Sequence, residues 1–324
     1  FNPAAIAVVG ASDRPGSAGQ RVFQNLSGGG FKGALFPVNP RHATVGGVKS
    51  YPTVGAIPEA IDLAVIASPT ATVPDVIQQC AGRGIKAAVV LSPSFRPLGS
   101  SGVKKERAIL EAARKYGIRI IGPDCVGLMR PGIGLNATNS RNQALPGNLA
   151  LVSQSGAICN AILDWAYARK IGFSCMVSLG DTLDVDFGDV LDFLAIDRDT
   201  RSILLYVEGI HNARRFMSGL RAAARIKPVI VIKAGRHAEG TRAAISHSGA
   251  LVGADDVFDA ALARAGAVRA LTIEQLFSAA AVLSTGYRAN GKRLAILTNG
   301  GGPGIIANDR AVDLGLTIPE LTQT

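Results

Sequence analysis

Short runs of aliphatic and β-branched residues alternate with longer stretches of helical periodicity along almost the whole chain. In the first part the apolar runs are AIAVV (5–9), ALFPV (34–38), LAVIA (63–67), AAVVL (87–91) and IRII (118–121). They are continuous rather than alternating, the pattern of strands buried on both faces of a parallel sheet. Between them lie helical segments such as VPDVIQQCAGRG, which ends at Gly82 or Gly84. This alternation predicts βαβ units, and five such strands suffice for one Rossmann-like domain over residues 1–130.

The periodicity lapses in MRPGIGLNATNSRNQALPG (129–147), rich in Gly, Asn and Pro. That composition reads as a connection, placed at 131–147, to a second domain over 148–287. There the strand pattern returns as LALV (149–152), FSCMVS (173–178), SILLYV (202–207) and VIVIK (229–233). Two helices follow: ADDVFDAALARAG, closed by Gly266, and TIEQLFSAAAVLS, opened by the capping-box pair Thr272 and Gln275. From 288 onward LAILTNGGGPG (294–304) predicts one more strand and helix, the start of a third α/β unit. One strand and one helix cannot bury a core, so this unit is expected to continue beyond residue 324. FNPAAIAVVG at the other end has neither an initiator Met nor a signal-peptide pattern, and reads as part of a longer protein.

Composition narrows the function. A chain of 324 residues is too long for one ordinary core, and 48% hydrophobic with 18% charged residues suits an α/β enzyme. No apolar run approaches the roughly 20 residues that span a bilayer, so no membrane partner is expected. Cys80, Cys125, Cys159 and Cys175 are scattered without a C-x-x-C pair, which predicts reduced thiols in a cytoplasmic protein and no zinc site. The net charge of +10 raises nucleic acid, but only 5% of residues are aromatic and the basic residues are dispersed. A polyanionic small molecule accounts for the excess without a stacking platform.

Three strand–loop–helix openings echo one another: AVVGASDRPGSAG, ALVSQSGAI and AILTNGGGPG. Small residues there let the backbone turn and present N–H groups at a helix N-terminus, which attracts phosphate. In the first, Gly10, Gly16 and Gly19 depart from G-x-G-x-x-G spacing. The second strand ends in PVNPRH, with no carboxylate for a ribose hydroxyl. Arg41 there, with Arg14 in the first loop, suits the extra phosphate of coenzyme A better than NAD(P); a tight turn without ligand is the plain alternative.

The runs AVVGASDRPGSAG, FPVNP, VIASP and IIGPDCVG, in this order, resemble the CoA-binding domain of NDP-forming acyl-CoA synthetases. These comprise the succinyl-CoA synthetase α-subunit and its ADP-forming acetyl-CoA synthetase relatives. The resemblance covers essentially the whole chain and implies a Rossmann-like CoA-binding domain followed by a flavodoxin-like one. It implies that Gly10, Ser12, Arg14 and Gly19 hold CoA phosphates, that Asn39 and Pro40 flank the adenosine, and that Ser68 and Pro69 line the pantetheine path. One departure is Asp124, where the family usually has Asn.

In the second domain SQSG (153–156) follows a strand and opens a helix, where Ser153, Gln154, Ser155 and Gly156 form a candidate phosphate loop. Glu208 ends the strand SILLYV at the same sheet edge; left without a partner it would be costly to bury, and a water-facing glutamate is the ordinary reading. His247, in AAISHSGALVG, supplies a partner: if Glu208 accepts from Nδ1, Nε2 is left as a nucleophile. Here SHSGAL, YVEGI and SQSG resemble the same family's phosphohistidine site. The resemblance implies His247 as phosphoryl carrier, Glu208 as its orienting group, and ADP or ATP with magnesium on an ATP-grasp partner domain. It also implies a homo-oligomer. The stretch 172–236 resembles more closely the synthetase-like region of bacterial protein lysine acetyltransferases fused to a GNAT domain. Two readings follow: an ADP-forming acyl-CoA synthetase region, or a non-catalytic acyl-CoA-binding region of such an acetyltransferase.

Overall fold

The computed structural model describes residues 1–237, 254–287 and 289–320. The chain begins with β1 (Ala5–Val9), α1 (Ala18–Gly28) and β2 (Ala34–Val38). A small hairpin follows, β3 (Thr44–Val45) and β4 (Val48–Lys49). Then come β5 (Leu63–Ile66), α2 (Val73–Gly82), β6 (Ala87–Val90), α3 (Gly99–Tyr116) and β7 (Arg119–Ile121). The strands pair in parallel in the order β2-β1-β5-β6-β7. Ile6 and Val8 of β1 enter one apolar cluster while Ala7 and Val9 enter another, which is why the run shows no alternation of polarity.

The second sheet comprises β8 (Gly127–Arg130), β9 (Leu135–Thr138), β10 (Leu145–Ser153), β11 (Gly172–Ser178), β12 (Ser202–Val207), β13 (Val229–Lys233) and β14 (Val268–Ala270). Its order is β14-β13-β12-β10-β11-β8-β9. Helices α4 (Gly156–Ala168), α5 (Phe187–Ile196), α6 (Ala213–Ala224), α7 (Asp255–Ala265) and α8 (Ile273–Ser284) accompany it. The segment expected as a connection departs from that reading: β8 and β9 form an antiparallel pair on one edge of this sheet. Met129, Leu135 and Ala137 are buried there, and the Gly and Pro residues serve the turn between the strands. At α8 the cap also differs from the expected box. Thr272 accepts from Gln275 N, but the Gln275 side chain accepts from Leu271 N, one residue before the cap.

One apolar cluster runs from Val8, Val65 and Val89 through Leu128 and Val190 to Val152 and Leu205, so the two sheets share a core. Residues Phe1–Thr285 accordingly form one compact unit. Polar contacts reinforce the seam: Arg119 pairs with Asp184 at 2.9 Å and Asp189 at 3.0 Å, and Val185 N donates to Ile120 O.

The carboxyl end of β13 and the start of α7 are tied together. Lys233 Nζ lies 3.1 Å from Asp255 Oδ1, and Arg269 Nη2 bonds both Asp255 oxygens at 2.7 and 2.9 Å. Partial burial pushes the Asp255 carboxyl up, but hydrogen bonds from Arg269 and Lys233 outweigh this and hold it below its ordinary value. Such a carboxylate stabilises the fold above its unfolded-state pKa and loses that contribution as pH falls through the folded-state one. Chemical denaturation over an acid series is expected to show wild type losing more stability than Asp255→Asn, the two converging at the acid end.

Residues Gly286–Thr324 form a second unit. It contains α9 (Gly301–Asp313), but the strand expected at 294–297 is absent. Only an isolated bridge joins Arg293 to Thr317, and Leu297 is fully exposed. A strand needs a neighbour for its backbone groups, and the described residues of this unit provide one only as far as Leu294, whose N–H reaches Thr317 O.

Candidate functional site

The parallel strands of both sheets follow one order: second, first, third, fourth, fifth in sequence. It reads β2-β1-β5-β6-β7 in one and β11-β10-β12-β13-β14 in the other. Where the order reverses, between the first and third strands, flanking connections diverge and a crevice opens at the carboxyl ends.

In the first sheet that crevice lies between β1 and β5. Gly10 follows β1 with φ 86°, and a Cβ there would stand 2.8 Å from Ser68 N. A Cβ on Gly19 would lie 1.9 Å from Gly10 O. These two glycines let three backbone segments meet and bring the start of α1 over the crevice. Ser17 caps α1 by accepting from Gln20 N, and Ser12 Oγ accepts from Arg14 N at 3.0 Å. Asn39, at the end of β2, donates from Nδ2 to Ala11 O at 2.7 Å and accepts from Arg41 N at 2.9 Å. Arg14, Pro40, Arg41 and Pro69 are exposed on the rim. Ser68 Oγ accepts from Thr72 Oγ1 at 2.8 Å. The residues expected to contact CoA thus gather at the ends of β1, β2 and β5.

In the second sheet the crevice lies between β10 and β12. Ser155 caps α4, its Oγ accepting from Ile158 N at 3.3 Å. The N–H groups of Gly156 and Ala157 have no acceptor among the described residues. They are the unpaired donors that make a helix N-terminus attractive to an anion. The Ser153 and Gln154 side chains bond to other groups of the protein. Ser153 is wholly buried, and its hydroxyl donates to Ser155 O and accepts from Ser155 N, which shapes the turn. Gln154 is buried as well, with its side chain turned toward β12. Glu208 sits at the end of β12, across the crevice from α4, with only 8% of its surface exposed. His247 lies outside the described residues.

A polar path joins the crevices. Ser92 Oγ donates to Ser68 O at 2.6 Å, Asp124 N donates to Ser92 O at 2.9 Å, and Val126 N donates to Ser178 Oγ at 3.0 Å. A Cβ on Gly156 would meet Val126 Cγ2 at 2.6 Å, so the 122–126 loop lies against the start of α4. Asp124 is exposed there in a left-handed conformation with φ 55°. Ser92 and Ser178 were not singled out in the sequence; the signal they carried was a position at or just past the end of a parallel strand.

Other chemistry recedes. Burial pushes the thiols of Cys80, Cys159 and Cys175 up to about 12, and that of Cys125 further still, which leaves them poor nucleophiles. Burial, and then the charge of Arg96, hold the His211 imidazole below its ordinary value. No group of three or more His, Cys, Asp or Glu is placed to hold a metal ion among the described residues. No helix among them is long and apolar enough to cross a membrane.

Residues 4–131 match the CoA binding domain family, and residues 146–283 match the succinyl-CoA ligase like flavodoxin domain family. The α subunit of acetate–CoA ligase (ADP-forming) I from Pyrococcus furiosus is 43% identical over 98% of this chain and 69% of its own length. The chain belongs to the ADP-forming acyl-CoA ligases. It corresponds to their α-type part. Acetate–CoA ligase (ADP-forming) I from Archaeoglobus fulgidus is 41% identical over 98% of this chain, which spans only 46% of that relative. A Ca. Korarchaeum cryptofilum dinucleotide-forming acetyl-coenzyme A synthetase 1, solved with phosphate and ADP, superposes with a TM-score of 0.94 at 38% identity. That match covers 99% of this chain and 69% of the solved one. These relatives are ligases, which favours the acid–thiol ligase reading over that of a non-catalytic region of an acetyltransferase.

Proposed function

We propose that this ligase region binds acyl-CoA at the first crevice and passes a phosphoryl group through His247 to ADP on an ATP-grasp part outside these residues. Inorganic phosphate attacks the thioester carbonyl, the C–S bond breaks, and CoA leaves as acyl phosphate forms. Nε2 of His247 then attacks phosphorus, the acyl carboxylate departs, and the P–N bond is later broken by the terminal oxygen of ADP. Glu208 accepts from Nδ1 and stabilises the imidazolium that develops, while the free N–H groups of Gly156 and Ala157 hold the phosphoryl oxygens. Each transfer exchanges one high-energy bond for another, so positioning carries most of the catalysis. Magnesium would neutralise the nucleotide phosphates on the ATP-grasp part. Buried reduced thiols suit the cytoplasm.

The observation that supports this reading is the convergence of a buried carboxylate, Glu208, and an open helix N-terminus at one switch point, linked to a CoA-type crevice. Incubation with acetyl-CoA and phosphate is expected to add the mass of one phosphoryl group, labile to acid and stable to base. Tight CoA binding with no such adduct, either in this reaction or with ATP and the ATP-grasp part, would sink it. For the CoA crevice, Arg41→Ala is expected to weaken CoA about tenfold and to leave dephospho-CoA unaffected. Equal losses for both ligands in calorimetric titration would remove Arg41 from the 3′-phosphate.

A further inference from the structure

Within the SQSG turn, Gln154 turns its side chain away from the open end of α4. It is 6% exposed, and its amide is spent on the opposite side of the crevice. Oε1 accepts from Glu208 N at 2.7 Å and from Gly209 N at 3.1 Å, while Nε2 donates to Gly209 O at 2.9 Å. The amide orientation is fixed by this network, since turning it over would set an NH₂ against two N–H donors.

The location explains the need. Strands β10 and β12 pair in register as far as Ser153 and Tyr206, and Gln154 N still reaches Tyr206 O at 3.3 Å. Beyond that point the chains diverge at the switch point. The N–H groups of Glu208 and Gly209 would then be buried without a strand to pair with, a costly state. The glutamine amide takes the place of the missing strand. It pins the backbone on both sides of the Glu208 Cα–C bond, and so fixes the point and direction from which the Glu208 side chain leaves the strand.

We infer that Gln154 is a positioning residue for Glu208, acting on phosphoryl transfer through that carboxylate and not through phosphate. The inference rests on the reading of Glu208 as the group that orients the phosphoryl-carrying imidazole. It predicts a particular kinetic signature. Gln154→Met keeps the volume and removes all three bonds, and should lower kcat about 10- to 100-fold through misplacement of Glu208, with KM for phosphate and for CoA unchanged. In a Glu208→Gln background the same change should have little further effect, because the group it positions is already disabled.

The test uses the complete two-part enzyme, assayed for ATP formation from acetyl-CoA, phosphate and ADP. Wild type, Glu208→Gln, Gln154→Met and the double variant are compared, with folding checked by thermal denaturation. Gln154→Glu serves if the methionine variant is unstable: it retains the two acceptor contacts but sets a charged oxygen against Gly209 O. A raised KM for phosphate at normal kcat would make Gln154 a phosphate contact and overturn the inference. So would losses that multiply in the double variant, while Glu208→Gln remains impaired. Full activity of Glu208→Gln would overturn both this inference and the reading beneath it.

Discussion

Replacing His247 by alanine should abolish the acid-labile phosphoryl adduct and lower ADP-dependent turnover by roughly 10⁴-fold or more. The size follows from the chemistry. In the proposed relay the imidazole is nucleophile, leaving group and carrier in turn, and water cannot deliver a phosphoryl group to a second active site. His42, His211 and His237 are the other imidazoles of the chain. His211 sits near the second crevice, but burial and Arg96 depress its basicity, and no carboxylate bonds it among the described contacts. CoA binding, measured by calorimetry, should be unchanged in His247→Ala, because the crevice proposed for CoA lies between β1 and β5 of the other sheet. An adduct of undiminished yield in this variant would transfer the carrier role to another residue. Loss of CoA binding together with the adduct would point to a folding defect, which thermal denaturation would reveal.

The second large effect belongs to Gly19→Ala. A methyl group here cannot be accommodated by a rotamer change, because it would sit 1.9 Å from Gly10 O and 2.8 Å from the carbon of the same carbonyl. Both atoms are backbone, and Gly10 is itself held against Ser68 and bonded to Val38 O. The start of α1 must therefore lift from the crevice, breaking the Ser17 cap and separating the loop from the Asn39 brace. Overpacking of this kind costs about 3 kcal/mol, the upper end of its usual range. CoA affinity should fall below detection even at temperatures where the variant stays folded. Gly16→Ala makes an instructive comparison: its φ of 77° strains any side chain, yet a Cβ there meets nothing within 4 Å. It should lose stability without losing the geometry of the crevice. Similar CoA affinities for the two variants would contradict the packing argument.

Much of the architecture was legible in the sequence, for an identifiable reason. In a parallel sheet covered on both faces, a strand such as β1 or β12 is a continuous apolar run, and helices between such runs carry their own period. Apart from the small β3–β4 hairpin, the strands that went unrecognised lie toward the edges of the second sheet. Strands β8 and β9 form an antiparallel pair whose turn is rich in Gly and Pro, and their pattern includes Asn136 and Thr138. At the far edge, β14 has only three residues, with Val268 exposed. The opposite error arose at 294–297, where an apolar run lacks the neighbours that would make it a strand among the described residues.

For the site, residue type and spacing pointed to Gly10, SQSG and Glu208 at the ends of strands, and the family resemblance added Asn39 and Ser68. They did not reveal that Ser153 folds its hydroxyl back on Ser155, or that Gln154 serves Glu208. A side chain at the end of a strand points wherever the divergence of its neighbours leaves room, and that divergence belongs to the sheet, not to the strand.

The sequence by itself determined which segments are buried strands, which loops are small enough to present backbone N–H groups, and which ionisable residues stand beside them. Those properties depend on side chains and their local periodicity. Only the tertiary structure decided that both sheets share one order of strands, that their crevices are joined through Ser92, Asp124 and Val126, and that one glutamine completes a ladder where no strand remains. These depend on contacts between residues far apart in the chain, as in Ile120 N donating to Asp184 Oδ2 across 64 positions. Such contacts form only once the whole core has closed and removed water from the groups that then need each other.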